Sequence, residues 1–192
     1  MITLKELENG FTYIEIANEK AQAKIALQGA HVYHYQRTGE AAHLWISRAN
    51  SFEIGKAIRG GIPICWPWFG ISTDPALPQH GFARTMLWNL IGANDSDPEE
   101  TKIILRLQTS DETLSLWPHH FDLYLHITVG DSLTLALTTI NRDKNAFELT
   151  SALHTYFSVS KIGNVHVEGL DGKPFFDALS RTSNIQEGDI TI

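Results

Sequence analysis

A single cysteine, Cys65, is all the sequence offers, so no disulfide can form within the chain and a reducing compartment is the natural setting. Long apolar runs are also missing. No stretch approaches the length of a membrane-spanning helix, and the first residues, MITLKELENG, lack the basic-then-apolar order of a secretory signal. Basic residues are few: 15 against 22 acidic ones, for a formal net charge of -7, with no basic run. That balance argues against nucleic acid as the main partner, although two arginines can still hold a small anion inside a pocket. Phosphate-binding glycine loops of the P-loop or dinucleotide type are absent, which argues against nucleotides. Helical periodicity is nearly absent too. The expectation from these shortages is a cytoplasmic globular chain, 1–192 as a single domain, with no membrane and no nucleic-acid partner; they imply no particular oligomeric state.

What is present is alternation. Tyr13–Ile16, Ala23–Leu27 and Ala30–Gln36 switch between apolar and polar residues, as half-buried strands do; His43–Ile46 reads as a further short strand and Lys102–Gln108 as a strong strand candidate. Arg84–Ile91 reads as extended up to a turn that begins at Gly92. Phe121–Val129 and Ser132–Thr138, joined by Gly130-Asp131, read as a hairpin. Phe147–Ser160 reads as one long extended stretch, and Asn164–Leu170 as another. One helix is expected, capped at Ser110–Thr113, running through Leu116 and stopped by Pro118. Many short strands with frequent turn residues define an all-β antiparallel sandwich or barrel. Ile190-Thr191-Ile192 reads as a strand that stops abruptly and leaves unpaired edges.

The densest stretch runs from Lys56 to Gly70, KAIRGGIPICWPWFG, followed by Pro78–Arg84, PQHGFAR. Gly, Pro and Trp crowd together there with Arg59, Gln79, His80 and Arg84. That make-up suits an aromatic-walled concavity with a few polar groups aimed into it. Arg59 and Arg84 are rigid, permanently charged forks that fit phosphate or carboxylate, or else tie loops to carbonyls. Lys56 reads best as solvated. His154, in Ser151–Phe157, is either a half-buried strand histidine or an acid-base group. Trp66, Trp68 and Trp117 are either core residues or platforms for a sugar ring. Cys65, between Ile64 and Trp66, reads as an inert buried thiol. His119-His120 near Asp122 raises the idea of a metal, but neighbouring strand residues point to opposite faces and make a poor chelate.

The two motifs and the segment SALHTYF resemble the hexose-6-phosphate mutarotases (glucose-6-phosphate 1-epimerases), a branch of the aldose 1-epimerase, or galactose mutarotase-like, superfamily. The resemblance covers nearly all of the chain. It implies an all-β, antiparallel β-supersandwich and the interconversion of α and β anomers of a hexose 6-phosphate, with neither metal nor other cofactor. It implies His154 as the general acid and Arg59, Gln79, His80 and Arg84 as substrate-binding residues, the two arginines on the phosphate. It also implies a glutamate base beyond the point where this chain stops, since Glu148, Glu168 and Glu187 do not sit in the matching motif. The chain is therefore expected to be an incomplete copy, the N-terminal portion of the family's domain, impaired in turnover. Two other readings stand beside this one: a sugar-phosphate binding module without turnover, and a metal-dependent cupin-like enzyme.

Overall fold

The computed structural model describes residues 1–72, 74–177 and 179–192, and divides the chain into two compact units, Met1–Ser158 and Val159–Ile192. In the first unit, β1 (Ile2–Glu6), β2 (Thr12–Ala17), β3 (Ala21–Ala26) and β4 (His31–Arg37) form an antiparallel sheet in that order. The short β5 (Ile64–Cys65) follows. A second antiparallel sheet is built from β6 (Asn89–Asn94), β7 (Thr101–Gln108), β8 (Phe121–Val129) and β9 (Leu133–Asn141), again in chain order. The unit ends with β10 (Ala152–Leu153), which pairs antiparallel with β5.

The alternation in the sequence is what joins the sheets. Ile14, Ile16, Ala23 and Ile25 point inward from the first sheet. Ile103, Leu105, Leu107, Leu123, Leu125, Ile127 and Val129 point inward from the second, and all are buried in one core. Period-two patterning with one apolar face is the signature of stacked sheets, and removing that face from water is the main favourable term. Polar tethers cross between the layers: the Tyr35 hydroxyl donates to the Gly130 carbonyl at 2.9 Å and the Asn18 amide to the Val129 carbonyl at 2.9 Å. The helix lies where the sequence places it, as α1 (Asp111–Leu116), with Ser110 and Thr113 capping each other reciprocally.

Several expectations are corrected. Residues 84–86 are not extended, and Leu87 makes only an isolated antiparallel bridge to Gln28. The Phe82 carbonyl accepts from both Thr85 N and Met86 N, which coils the chain into a turn before β6 begins. Gly92 does not end a strand but lies within β6 at a register shift, where the Ile104 side chain closes over it. His43–Ile46 makes only isolated bridges, Leu44 to Phe157 and Ile46 to Gly60. Strand β1 has no counterpart among the expected strands.

The second unit consists of two ribbons: β11 (His166–Val167) with β14 (Ile190–Thr191), and β12 (Pro174–Asp177) with β13 (Thr182–Ile185). Ile190–Thr191 pairs on one side, with His166–Val167, in a ribbon of two strands. Among the described residues this unit buries no apolar side chain, and Phe176 and Leu179 are exposed. No helix of the described residues is long and apolar enough to cross a membrane.

Candidate functional site

The residues singled out in the sequence come together because two distant segments pair. Residues 150–156 run antiparallel to 61–67: Thr150 N donates to the Pro67 carbonyl, Ala152 and Leu153 face Cys65 and Ile64, His154 N donates to the Pro63 carbonyl, and Tyr156 N to the Gly61 carbonyl. Alternation along 153–157 then sorts the side chains. Leu153, Thr155 and Phe157 line an apolar groove, whereas His154 and Tyr156 line a polar cavity of about 310 Å³.

The second motif docks on the first through glycine. Gly81 has a φ of +71°, and a Cβ there would lie 2.0 Å from the Trp66 carbonyl oxygen. Only glycine tolerates that approach in that conformation. With no side chain intervening, Phe82 N and Ala83 N both donate to the Trp66 carbonyl. Gly61 is constrained in the same way, at φ +64° against the Val32 carbonyl and the His31 ring.

Arg59, Gln79, His80, Arg84 and His154 all line the polar cavity, together with Ala57, Ile58, Pro63, Cys65 and Tyr156. None of these ten residues is an aspartate or glutamate. Among the described residues, neither Arg59 nor Arg84 has a carboxylate partner. Arg84 Nη2 donates to the Gln79 carbonyl at 2.7 Å, while its Nε is buried without a hydrogen-bond partner.

His80 is held by its backbone and by one nitrogen of its ring. Its backbone N donates to the Gly70 carbonyl at 2.7 Å, and Gly70 N donates to His80 Nδ1 at 3.0 Å. The left-handed backbone at His80, φ +66°, is sustained by this reciprocal pair. With Nδ1 accepting, the proton of the neutral ring sits on Nε2. Burial pushes the His80 pKa down, and the charges of Arg84 and His154 push it further the same way. The His80 and His154 rings lie 6.1 Å apart, and half-exposed Phe69 stands beside both. Tyr156 stacks on His154 at 4.8 Å with the planes 29° apart.

Tyr156 is the lining residue that sequence reasoning passed over. Its signal was its place two residues after His154, on the same face. Cys65 lies on the cavity wall, buried, with its thiol pKa raised by that burial against the opposing pull of Arg84. Lys56 faces a neighbouring cavity, pairs with Glu53 and is mostly exposed. Trp66 resolves to the core reading: it is fully buried, with its indole N–H on the Thr139 hydroxyl. His119 binds Asp143 at 3.2 Å and packs on Trp117. Among the described residues no three His, Cys, Asp or Glu side chains gather as a metal would need.

The cavity of this antiparallel β-sandwich brings two guanidinium groups and two imidazoles together. Residues 12–191 match the aldose 1-epimerase family, and the chain belongs to that family. It is 41% identical over 167 residues to a protein of Escherichia coli (strain K12), covering 87% of this chain and 55% of that protein. It is 40% identical over 178 residues to a protein of Salmonella typhimurium, covering 93% of this chain and 58% of that one. Both carry the name "Putative glucose-6-phosphate 1-epimerase". The chain thus spans somewhat over half the length of these curated relatives. Among solved structures, a mutarotase ("putative" in its description) from Salmonella typhimurium superposes with a TM-score of 0.91 at 36% identity, over 99% of this chain and 63% of that one. A galactose mutarotase-like protein from Clostridium acetobutylicum superposes with a TM-score of 0.79 at 16% identity, over 98% and 65%. The fold is the galactose mutarotase-like antiparallel β-sandwich.

Proposed function

We propose that the polar cavity binds a hexose 6-phosphate and belongs to an isomerase that interconverts its anomers. Arg59 and Arg84 take the phosphate, Gln79 takes sugar hydroxyls, and the Nε2–H of neutral His80 donates to a sugar oxygen. His154 gives its proton to the ring oxygen as the C1–O5 bond breaks, while a base removes the anomeric hydroxyl proton. The open-chain aldehyde turns about C1–C2. The C5 hydroxyl then adds to the other face of C1, returning its proton to His154, and the base reprotonates the new anomeric oxygen. The observation that carries this reading is the convergence of two carboxylate-free arginines on one cavity with two histidines. Among the described residues no carboxylate neutralises either guanidinium, so their charge is available to an anion.

A second reading rests on the same cavity. No carboxylate lines it among the described residues, so the base has no evident candidate in this chain. The 192-residue chain then acts as a sugar-phosphate binding module with negligible turnover of its own. Titration with glucose 6-phosphate and with glucose, followed by NMR exchange between anomers, tests both readings. Tighter binding of the phosphorylated sugar without added exchange is the result expected of the chain as it stands. Equal affinity for the two sugars would sink the phosphate site. Rapid exchange would show that a base other than a lining carboxylate, or one from a second copy, is at work.

A further inference from the structure

Arg59 lies at the exit of a loop that begins near Ser47, and its own side chain is exposed. An exposed arginine on a loop loses much rotamer freedom when it grips a ligand, unless its backbone is already fixed. Here a side chain from the loop's entrance bonds both main-chain polar groups of Arg59, alongside the Ser47 backbone N. Arg59 N donates to Asn50 Oδ1 at 2.9 Å, and Asn50 Nδ2 donates to the Arg59 carbonyl at 2.7 Å. Asn50 Nδ2 also reaches the Ser47 carbonyl at 3.2 Å, and Ser47 N donates to the Arg59 carbonyl at 3.0 Å. Rotating the amide by a half-turn would set N–H against N–H and oxygen against oxygen, so the orientation is fixed by its partners. Both main-chain polar groups of Arg59 are thereby satisfied by one residue, and the two ends of the loop are locked together.

We infer that Asn50 is a positioning residue for Arg59, holding its backbone so that the guanidinium is presented to the phosphate end of the cavity. The inference rests on the phosphate reading given above. Asn50 lines the neighbouring cavity rather than the polar one, so its influence on a sugar phosphate passes through Arg59. Alanine in its place removes the clamp and leaves the arginine side chain intact but loosely aimed.

The test is an NMR titration with glucose 6-phosphate and with glucose, on wild type, Asn50→Ala, Arg59→Ala and the double variant. Asn50→Ala is expected to weaken glucose 6-phosphate by about 3- to 10-fold, the weight of one or two ordinary hydrogen bonds, and to leave glucose unchanged. In the Arg59→Ala background the same substitution should add nothing, because the residue through which it acts is gone. Equal loss for both sugars, or full additivity in the double variant, overturns the inference and makes Asn50 a purely structural residue. Arg59→Ala affecting both sugars alike overturns the phosphate reading as well, and that pattern is distinct from additivity. Should Asn50→Ala fail to fold, Asn50→Gln keeps the amide but displaces it by one methylene. The same selective loss is expected of it, and unchanged phosphate affinity would overturn the inference.

Discussion

The two pairs of polar groups in the cavity, termed its arginine end and its histidine end by residue type alone, are held on different principles. At the arginine end, Arg59 and Arg84 carry permanent charge, and both depend on main-chain contacts for their placement: the Asn50 clamp on one side, the Gln79 carbonyl on the other. At the histidine end, His80 and His154 are titratable and are held by rings and a reciprocal backbone pair. A buried imidazole also underlies the arginine end. His31 donates from Nε2 to the Gly60 carbonyl at 2.8 Å, next to Arg59, while its Nδ1 has no partner. The arginines thus carry charge at any ordinary pH, whereas an imidazole can gain or lose a proton within that range. The mutual influence of the two ends shows in His80, whose protonation Arg84 opposes.

The largest effect should come from a change that breaks both ends at once. Gly81 lies between His80 and Arg84, and alanine there meets both a positive φ and the Trp66 carbonyl. Gly81→Ala is expected to cost about 3 kcal/mol or more of stability and to abolish sugar-phosphate binding, read from the urea midpoint and a titration. A variant as stable as wild type would mean that the two motifs are not held together through this contact.

Acid should act on the arginine end through His31. Complete burial, with a further push from Arg84, lowers its pKa from the ordinary 6.5 to about 4 in the folded chain. The unfolded chain therefore binds the extra proton first, and stability is fully present above about pH 6.5. It falls as the pH drops toward 4, by about 3 kcal/mol over that window, and this contribution levels off below it. Unfolding midpoints measured from pH 7 to pH 4 should follow this slope in wild type. His31→Gln, which can still donate to Gly60, should lose it. An unchanged slope in that variant would assign the acid sensitivity elsewhere.

The smallest effects separate the two ends. Arg84→Ala should weaken glucose 6-phosphate by about 1.5–3 kcal/mol, the worth of a hydrogen bond to a charged group, and leave glucose nearly unchanged. In the same variant the His80 titration, followed by NMR, should move up toward the ordinary value while staying below it, because burial remains its main cause. A His80 midpoint that ignores the substitution would show that the ends are electrostatically independent.

Much of this was legible in the residue order. The β8–β9 hairpin follows from near-regular alternation, and β7 from a β-rich run bounded by polar residues. The helix follows from Ser110 and Thr113, because a capping box is a local exchange of hydrogen bonds. The density of Gly, Pro, Trp and Arg in 56–84 marked the cavity, whereas His154 was joined to it only by the family resemblance, the residues around it leaving a structural reading open. Tyr156 and Asn50 were not legible. Tyr156 matters because it lines the cavity, and Asn50 through hydrogen bonds to the backbone of Arg59, nine residues on; residue type alone does not mark either role. The turn at Phe82–Met86 was misread as strand because apolar residues such as Met86 and Trp88 suit either conformation, and the hydrogen bonds to the Phe82 carbonyl decide. Sequence alone settled the fold class and the chemical types at the cavity, since both rest on local pattern and residue identity. The antiparallel pairing of 61–67 with 150–156, the core burial of Trp66 and the gathering of five polar residues in a cavity without a carboxylate were decided only by the tertiary structure. Those features depend on which remote backbone groups satisfy one another, a condition that no short window of sequence contains.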